Sequence, residues 1–338
     1  MHALVVGPGA AGRLADVPEP VPEAGQALVE VHRTSVNFSE LRHMGRLPEG
    51  TVLGYDAAGV VLRPAADGTG PAEGARVAAF GAGAWAERAA FDTGALAVVP
   101  DGVDLSTAAA LPMPGLTALR SLRAAGVSPG PRGLPTDVPP EPHGLSVSPP
   151  SEPRGLMTGA SGSRVLVTGA SGAVGRLAVQ LAGLAGAHVV ASVSTPDRAR
   201  ALALGADVEV VTGLDGVTPV DVVIEVVGGP TLVAAWGLLA PGGNLQSIGW
   251  ASGQPAVFPP GSTFSLGPAR SMNSFGDVDS PGPDLAFLLG LVAAGDLSVE
   301  IGRRLPWERL EEAAAAQLDR TVTGKVVLDV VPAGHVLS

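Results

Sequence analysis

The stretch Arg164–Leu181 narrows most what this chain can fold into. It opens on Val165, Leu166 and Val167, a short apolar run of the kind a buried strand needs. Gly169, Gly172 and Gly175 follow at three-residue spacing, and Val174, Leu177, Ala178 and Leu181 then recur at helical spacing. A strand, a glycine turn and a helix in this order form an anion site. The first N–H groups of the helix lack partners within it, and the helix dipole favours negative charge there. The glycines let the backbone approach a pyrophosphate and let the helix lie close on the strand. The pattern predicts a dinucleotide site built from Gly169, Ser171, Gly172, Ala173, Val174 and Gly175.

The next strand bears on which dinucleotide is bound. Sites for the unphosphorylated coenzyme place an acid about 20 residues past the glycines, on the ribose hydroxyls. Here Val189–Val193 ends in Ser192 and Ser194 with no acid between them, and Arg198 follows on the next helix. Hydroxyls and a guanidinium suit a 2′-phosphate, which favours NADPH. The alternative, with Asp197 as a helix cap and Arg198 as a solvated charge, stays open at this point.

From Arg164 to about Ile248 strands alternate with helices. The strands are expected at Val165–Thr168, Val189–Val193, Glu209–Val211, Val222–Val226 and Asn244–Ile248. The helices are expected at Val174–Ala185, Pro196–Leu204 and Thr231–Leu239. This rhythm implies an α/β fold with a parallel, doubly wound sheet. Residues 1 to about 100 read as β-rich, with short runs at Ala3–Val6, Gln26–Val31, Gly59–Leu62, Arg76–Phe80 and Leu96–Val99. Thr107–Arg123 has helical composition, which Pro112 and Pro114 should break or kink. Toward the end, Asp284–Ala294 and Trp307–Asp319 read as helices and Lys325–Val331 as a closing strand. Ala256–Phe258 reads as a possible edge strand, shortened by the prolines around it.

Between about Pro131 and Ser163 the sequence changes character. Pro131–Leu134, Pro142–Leu145 and Pro153–Leu156 repeat with a period of eleven. Proline at this density runs through neither helix nor central strand, so an extended surface insert is expected. Thr158–Gly162 duplicates Thr168–Gly172, but only the second copy has a strand before it and an apolar helix after it.

The chain has no cysteine, which excludes disulfides and thiolate zinc sites and suits a cytoplasmic location. Its formal net charge of −11 argues against general affinity for nucleic acid or anionic membrane. No apolar run is long enough to span a bilayer, and the start lacks a secretory pattern. The six histidines show no metal-ligand spacing.

Several blocks taken together resemble the zinc-free branch of the medium-chain dehydrogenase/reductase superfamily, its quinone oxidoreductases and enoyl reductases, polyketide-pathway ones included. They are Val36–Glu40, Leu53–Val60, Gly83–Glu87, Gly115–Ala118, Val165–Gly175, Glu225–Gly229, Leu239–Gly243 and Thr323–Leu328, in family order. The resemblance implies a Rossmann coenzyme domain at about 121–270, with the insert at about 131–163. It also implies a β-rich, GroES-like catalytic domain from 1–120 and 271–338, with the active site in the cleft between the two domains. The positions that hold catalytic zinc in the alcohol dehydrogenase branch are Asn37, Tyr55 and Met113 here, not a credible ligand set, so no metal is expected. By resemblance, Asn37 and Thr117 lie near the nicotinamide and its ribose. Val227, Gly228, Gly249, Phe275 and Lys325 match places that border the coenzyme. Tyr55, the only tyrosine, either donates a hydrogen bond to a developing enolate or packs half-buried. Leu47 stands where related enoyl reductases often carry a tyrosine proton donor. The expected partner is a small enone or quinone, and a homodimer is the common family assembly. The rival expectation is an NADPH-binding protein of this fold without reductase turnover, either a sensor or partner or one adapted to ring closure.

Overall fold

The computed structural model describes residues 1–129, 162–201, 208–264, 266–276 and 278–330. All three copies of the proline-rich repeat and nearly all of the duplicate at Thr158–Gly162 lie outside them. The chain divides into two compact units, Met1–Leu116 with Asp277–Ser338, and Thr117–Gly276.

The first unit begins with β1 (His2–Val6), β2 (Gly12–Asp16), β3 (Gln26–Val36), α1 (Phe38–His43), β4 (Asp56–Arg63), β5 (Arg76–Phe80), β6 (Arg88–Asp92) and β7 (Leu96–Val98). Next come α2 (Leu105–Ala110) and α3 (Pro112–Ala124), the latter crossing the division between the units. The second unit contains β8 (Arg164–Val167), α4 (Ala173–Leu184), β9 (His188–Val193), α5 (Pro196–Ala201), β10 (Val208–Thr212), β11 (Val220–Glu225), α6 (Gly229–Gly237), β12 (Leu239–Ser247) and β13 (Ser271–Ser274). The chain then re-enters the first unit with α7 (Gly282–Ala293), β14 (Ile301–Pro306), α8 (Leu310–Leu318) and β15 (Lys325–Asp329).

In the first unit β14, β15, β3, β4, β5 and β7 form one sheet in that order, with β6 also on β3, and β1 and β2 pair apart from it. The alternation of buried and half-buried residues along β3 follows from one face packing on the core while the other is partly wetted. Val29, Val31, Val36, Ala57, Val61, Trp85, Val326 and Leu328 are among the buried core residues. β15 runs antiparallel to β3 with Val326 opposite Val36, so the last strand closes against the third.

The second unit is a six-stranded parallel sheet of order β10-β9-β8-β11-β12-β13. Numbered within the unit this is 3-2-1-4-5-6, the doubly wound order whose reversal lies between the first and fourth strands. Strands β8 and β9 are almost wholly buried, as parallel strands covered on both faces must be.

Several details differ from the sequence reading. Pro112 breaks the Thr107–Arg123 run as expected, with α2 ending at Ala110 and α3 opening on Pro112, but Pro114 falls in the first turn of α3, where no hydrogen bond is lost. The Trp307–Asp319 stretch is a short 3-10 turn followed by α8 rather than one helix. Ala256–Phe258 carries no strand; the sheet's edge is β13, all four residues of which are exposed. β13 carries no hydrophobic pattern, since Ser271, Asn273 and Ser274 are polar.

Strands β3 and β4 approach too closely at Gly59 for any side chain. A Cβ there would sit 1.8 Å from the Glu30 carbonyl oxygen. Gly59→Ala is expected to lower unfolding free energy by about 3 kcal/mol in a denaturant titration.

Candidate functional site

The glycine turn expected to hold the coenzyme lies in the second unit, at the C-terminal end of its first parallel strand. Gly169 turns out of β8 with φ +58°, and a Cβ on it would meet Val226 Cγ2 at 2.6 Å. Gly175 lies in the first turn of α4, where a Cβ would be 2.4 Å from the Gly169 carbonyl oxygen. These two glycines press the helix onto the turn. Gly172 differs: its Cβ would touch only the Gly169 carbonyl oxygen at 3.4 Å, leaving open the space above the helix start. The N–H groups of Ala173, Val174 and Gly175, at the start of a twelve-residue helix, find no acceptor inside it. This concavity suits a pyrophosphate.

Beside the glycine turn, Arg198 Nη1 donates to Ser171 Oγ at 3.2 Å. Its own backbone N–H goes to Thr195 Oγ1, so Thr195 rather than Asp197 caps α5. The guanidinium therefore returns over the turn instead of standing in solvent. Ser194 is exposed at the end of β9. Ser192 is buried and donates to the Gly213 carbonyl at 2.9 Å, so its hydroxyl holds the strand's neighbour.

Glu225, unremarked in the sequence apart from its motif, closes β11 with a fully buried carboxyl. It accepts from Thr168 Oγ1 at 3.0 Å, Val227 N at 2.9 Å and Gly228 N at 2.9 Å. Burial pushes this carboxyl up, and the two N–H groups and the hydroxyl pull back. The bonds to Glu225 consume the N–H groups of Val227 and Gly228, while the Val227 carbonyl accepts from Ser252 at 2.7 Å. What Val227 presents to a neighbour is its side chain. Gly249 is needed where the backbones converge, since a Cβ there would lie 2.7 Å from the Val226 carbonyl oxygen. Half-buried Phe275 follows β13.

The first unit holds a buried cluster of charges around Asp56. Lys325 Nζ reaches Asn37 Oδ1 at 2.6 Å, the Val36 carbonyl at 3.2 Å and Asp56 Oδ2 at 3.2 Å. Asp56 Oδ2 also accepts from Asn37 Nδ2 at 2.8 Å and Ser35 Oγ at 3.0 Å. Its other oxygen takes the Met113 N–H at 2.8 Å, in the first turn of α3. The ammonium of Lys325 thus spends its three donors on protein acceptors, and Lys325 acts through Asn37.

Tyr55 lies one residue before Asp56, 39% exposed, with its ring stacked on Phe80 at 5.9 Å. Its backbone N–H goes to Glu40 Oε1 at 2.9 Å, and Glu40 Oε2 takes the Asn37 N–H at 2.7 Å. Glu40 was not singled out from the sequence, although an acid three residues after Asn37 is a helix-capping spacing. Burial, and then the neighbouring Asp56 charge, push the Glu40 carboxyl up to about 8, with Lys325 pulling the other way.

The structure brings Asn37, Tyr55, Lys325 and the Met113 N–H around Asp56, while the glycine turn, Arg198, Val227, Gly228 and Gly249 belong to the second unit. Thr117 lies on α3, buried. Among the described residues no group of three or more His, Cys, Asp or Glu could hold a metal ion. An amide committed to Lys325 and Asp56, a phenol and a thioether do not make a zinc site.

Comparison with known proteins agrees with this architecture. Residues 23–101 match the family model for the alcohol dehydrogenase GroES-like domain, and residues 186–328 match the one described as zinc-binding dehydrogenase. The chain is 34% identical over 337 residues to erythronolide synthase EryA2 of Saccharopolyspora erythraea, covering 93% of this chain and only 8% of that synthase. It is 28% identical to the chloroplast envelope quinone oxidoreductase homolog of Arabidopsis thaliana, over 97% of this chain and 98% of the other. The quinone oxidoreductase of Thermus thermophilus, solved alone and with NADPH, matches with TM-score 0.75 and 31% identity, covering 98% of this chain and all of that one.

Because the folded state holds the Glu40 carboxyl above its usual range, Glu40 favours folding at low pH. That contribution fades as pH rises from about 4.5 to about 8. Glu40→Gln removes the titration. The variant's melting temperature is expected to gain on the parent's across this window, as thermal scans at stepped pH will read.

Proposed function

Since the chain belongs to the medium-chain dehydrogenase/reductase superfamily, in its quinone oxidoreductase and enoyl reductase branch, we propose that it reduces an α,β-unsaturated carbonyl or a quinone without a metal. It is an oxidoreductase, and its reductant is NADPH. One observation carries the coenzyme reading: the Arg198 guanidinium rests on Ser171 at the glycine turn, where the end of β9 carries Ser192 and Ser194 rather than an acid.

The bound coenzyme supplies a hydride. Everything else falls to the chain's own groups. The start of α4 holds the pyrophosphate on its free N–H groups, with Gly172 leaving the room. Arg198 and Ser194 hold the 2′-phosphate. Glu225 and Thr168 keep the Val226–Gly228 turn in one shape, so the coenzyme meets a surface that does not reorganise. By the family resemblance, Asn37, held at both ends of its amide, and Thr117 serve the nicotinamide and its ribose. The Tyr55 phenol, free of any hydrogen bond among the described residues, donates to the substrate oxygen as negative charge builds there. With Leu47 in place of a tyrosine, the carbon-bound proton comes from another group or from water.

The similarity to polyketide synthases supports a place in polyketide biosynthesis, with an enoyl thioester or related enone as substrate. We assign the cytoplasm as its location and the exposed edge β13 as the contact of a homodimer.

NADPH consumption against a panel of enones and quinones tests the reading, which fails if none is turned over. Arg198→Ala is expected to weaken NADPH binding by about 10-fold while leaving NADH binding within about twofold, as fluorescence titration will measure.

A further inference from the structure

We propose, resting on the reading of Tyr55 given above, that Glu40 is a positioning residue that fixes the direction of both the Tyr55 phenol and the Asn37 amide. One carboxyl takes backbone N–H groups from two places: Asn37, at the start of α1, at 2.7 Å, and Tyr55, fifteen residues beyond Glu40, at 2.9 Å. Capping a six-residue helix would require only the first of these bonds.

Tyr55 depends on its backbone because little else directs it. Its hydroxyl has no partner among the described residues, and its ring has a single aromatic neighbour there, Phe80, inclined at 28°. The residue before it, Gly54, has φ +88°, and a Cβ there would lie 1.9 Å from the Trp85 ring. The peptide joining Gly54 to Tyr55 is thus pressed against Trp85 and hydrogen-bonded to Glu40. On the far side, the Tyr55 carbonyl accepts from Gly81 N at 2.8 Å. With both its N–H and its carbonyl held, the Cα–Cβ bond of Tyr55 has one direction. Glu40 supplies the bond nearest that atom.

Asn37 is fixed the same way. Lys325 and Asp56 hold its side chain, and Glu40 holds its backbone N–H. The position of Glu40 is itself unfavourable for an acid, as burial and Asp56 push the carboxyl up to about 8. An exposed cap would stabilise α1 as well without that penalty. What this half-buried position adds is the reach to Tyr55.

Steady-state kinetics with NADPH and 1,4-benzoquinone, repeated with trans-3-decen-2-one, distinguish the outcomes in E40A, E40Q, Y55F and the E40A/Y55F pair. Y55F and E40A are each expected to lower kcat by about 10-fold, with KM and NADPH Kd within about twofold of the parent. E40Q, whose carbonyl oxygen keeps one of the two N–H groups, is expected to lose less, and it carries the test if E40A does not fold. The double variant is expected to fall no more than about threefold below Y55F, because the Tyr55 share of the Glu40 role is already lost and only its hold on Asn37 remains. Unchanged kcat in the Glu40 variants, or losses that multiply in the double variant, overturn the proposal. Unchanged kcat in Y55F instead overturns the role of Tyr55 as donor and removes the footing of the proposal with it.

Discussion

The ion pair between Lys325 and Asp56 is the constraint on which the first unit depends. Both side chains are removed from solvent, 3.2 Å apart, and each satisfies its remaining capacity on neighbours whose positions then become fixed. A charge buried without such company costs several kcal/mol, so the strands and helix that supply the partners cannot shift independently. Asn37 follows the strand β3, Asp56 opens β4, Met113 lies in the first turn of α3 and Lys325 opens β15. Four segments of the chain converge on two charges. The helix start is well placed, since a carboxylate at the first turn of α3 meets both the Met113 N–H and the positive end of the dipole.

The second unit solves a related problem without a cation in contact among the described residues. The Glu225 carboxyl is buried, and its hydrogen bonds come from the backbone N–H groups of Val227 and Gly228 and from Thr168. Hydrogen bonds alone offset part of its desolvation, which leaves the group raised but anchored. The gain is geometric. The ends of β8 and β11, the two strands flanking the reversal of the doubly wound order, are tied side chain to backbone beside the glycine turn.

Much of this was legible in the residues, for reasons that differ by element. The β8–turn–α4 unit declared itself because buried parallel strands are apolar throughout and the turn needs glycine where a Cβ has no space. Arg198 was legible as a cation past the second strand, though not its bond to Ser171, which depends on Thr195 capping the helix in place of Asp197. β13 and β2 stayed hidden because edge strands need no hydrophobic face, and Ser271–Ser274 is fully exposed. Asp56, Lys325 and Glu225 all stood inside blocks that the family resemblance picked out. Their roles did not follow, because a partner 269 positions away leaves no trace in local spacing. Glu40 left such a trace, the three-residue interval from Asn37, but that interval says nothing of its second bond to Tyr55.

The separation between Asp56 and Lys325 also sets an order of events during synthesis. The ribosome delivers β3, α1 and β4 long before β15, and the whole second unit is made in between. Until residue 325 emerges, Asp56 has its hydroxyl, amide and N–H partners but no cation, and β3 lacks the strand that pairs with Val36. The second unit, a single stretch of the sequence, can close on itself first. The amino-terminal part can make neither this ion pair nor the β3–β15 pairing before residue 325 is translated, so its completion waits on a lysine made after the whole second unit.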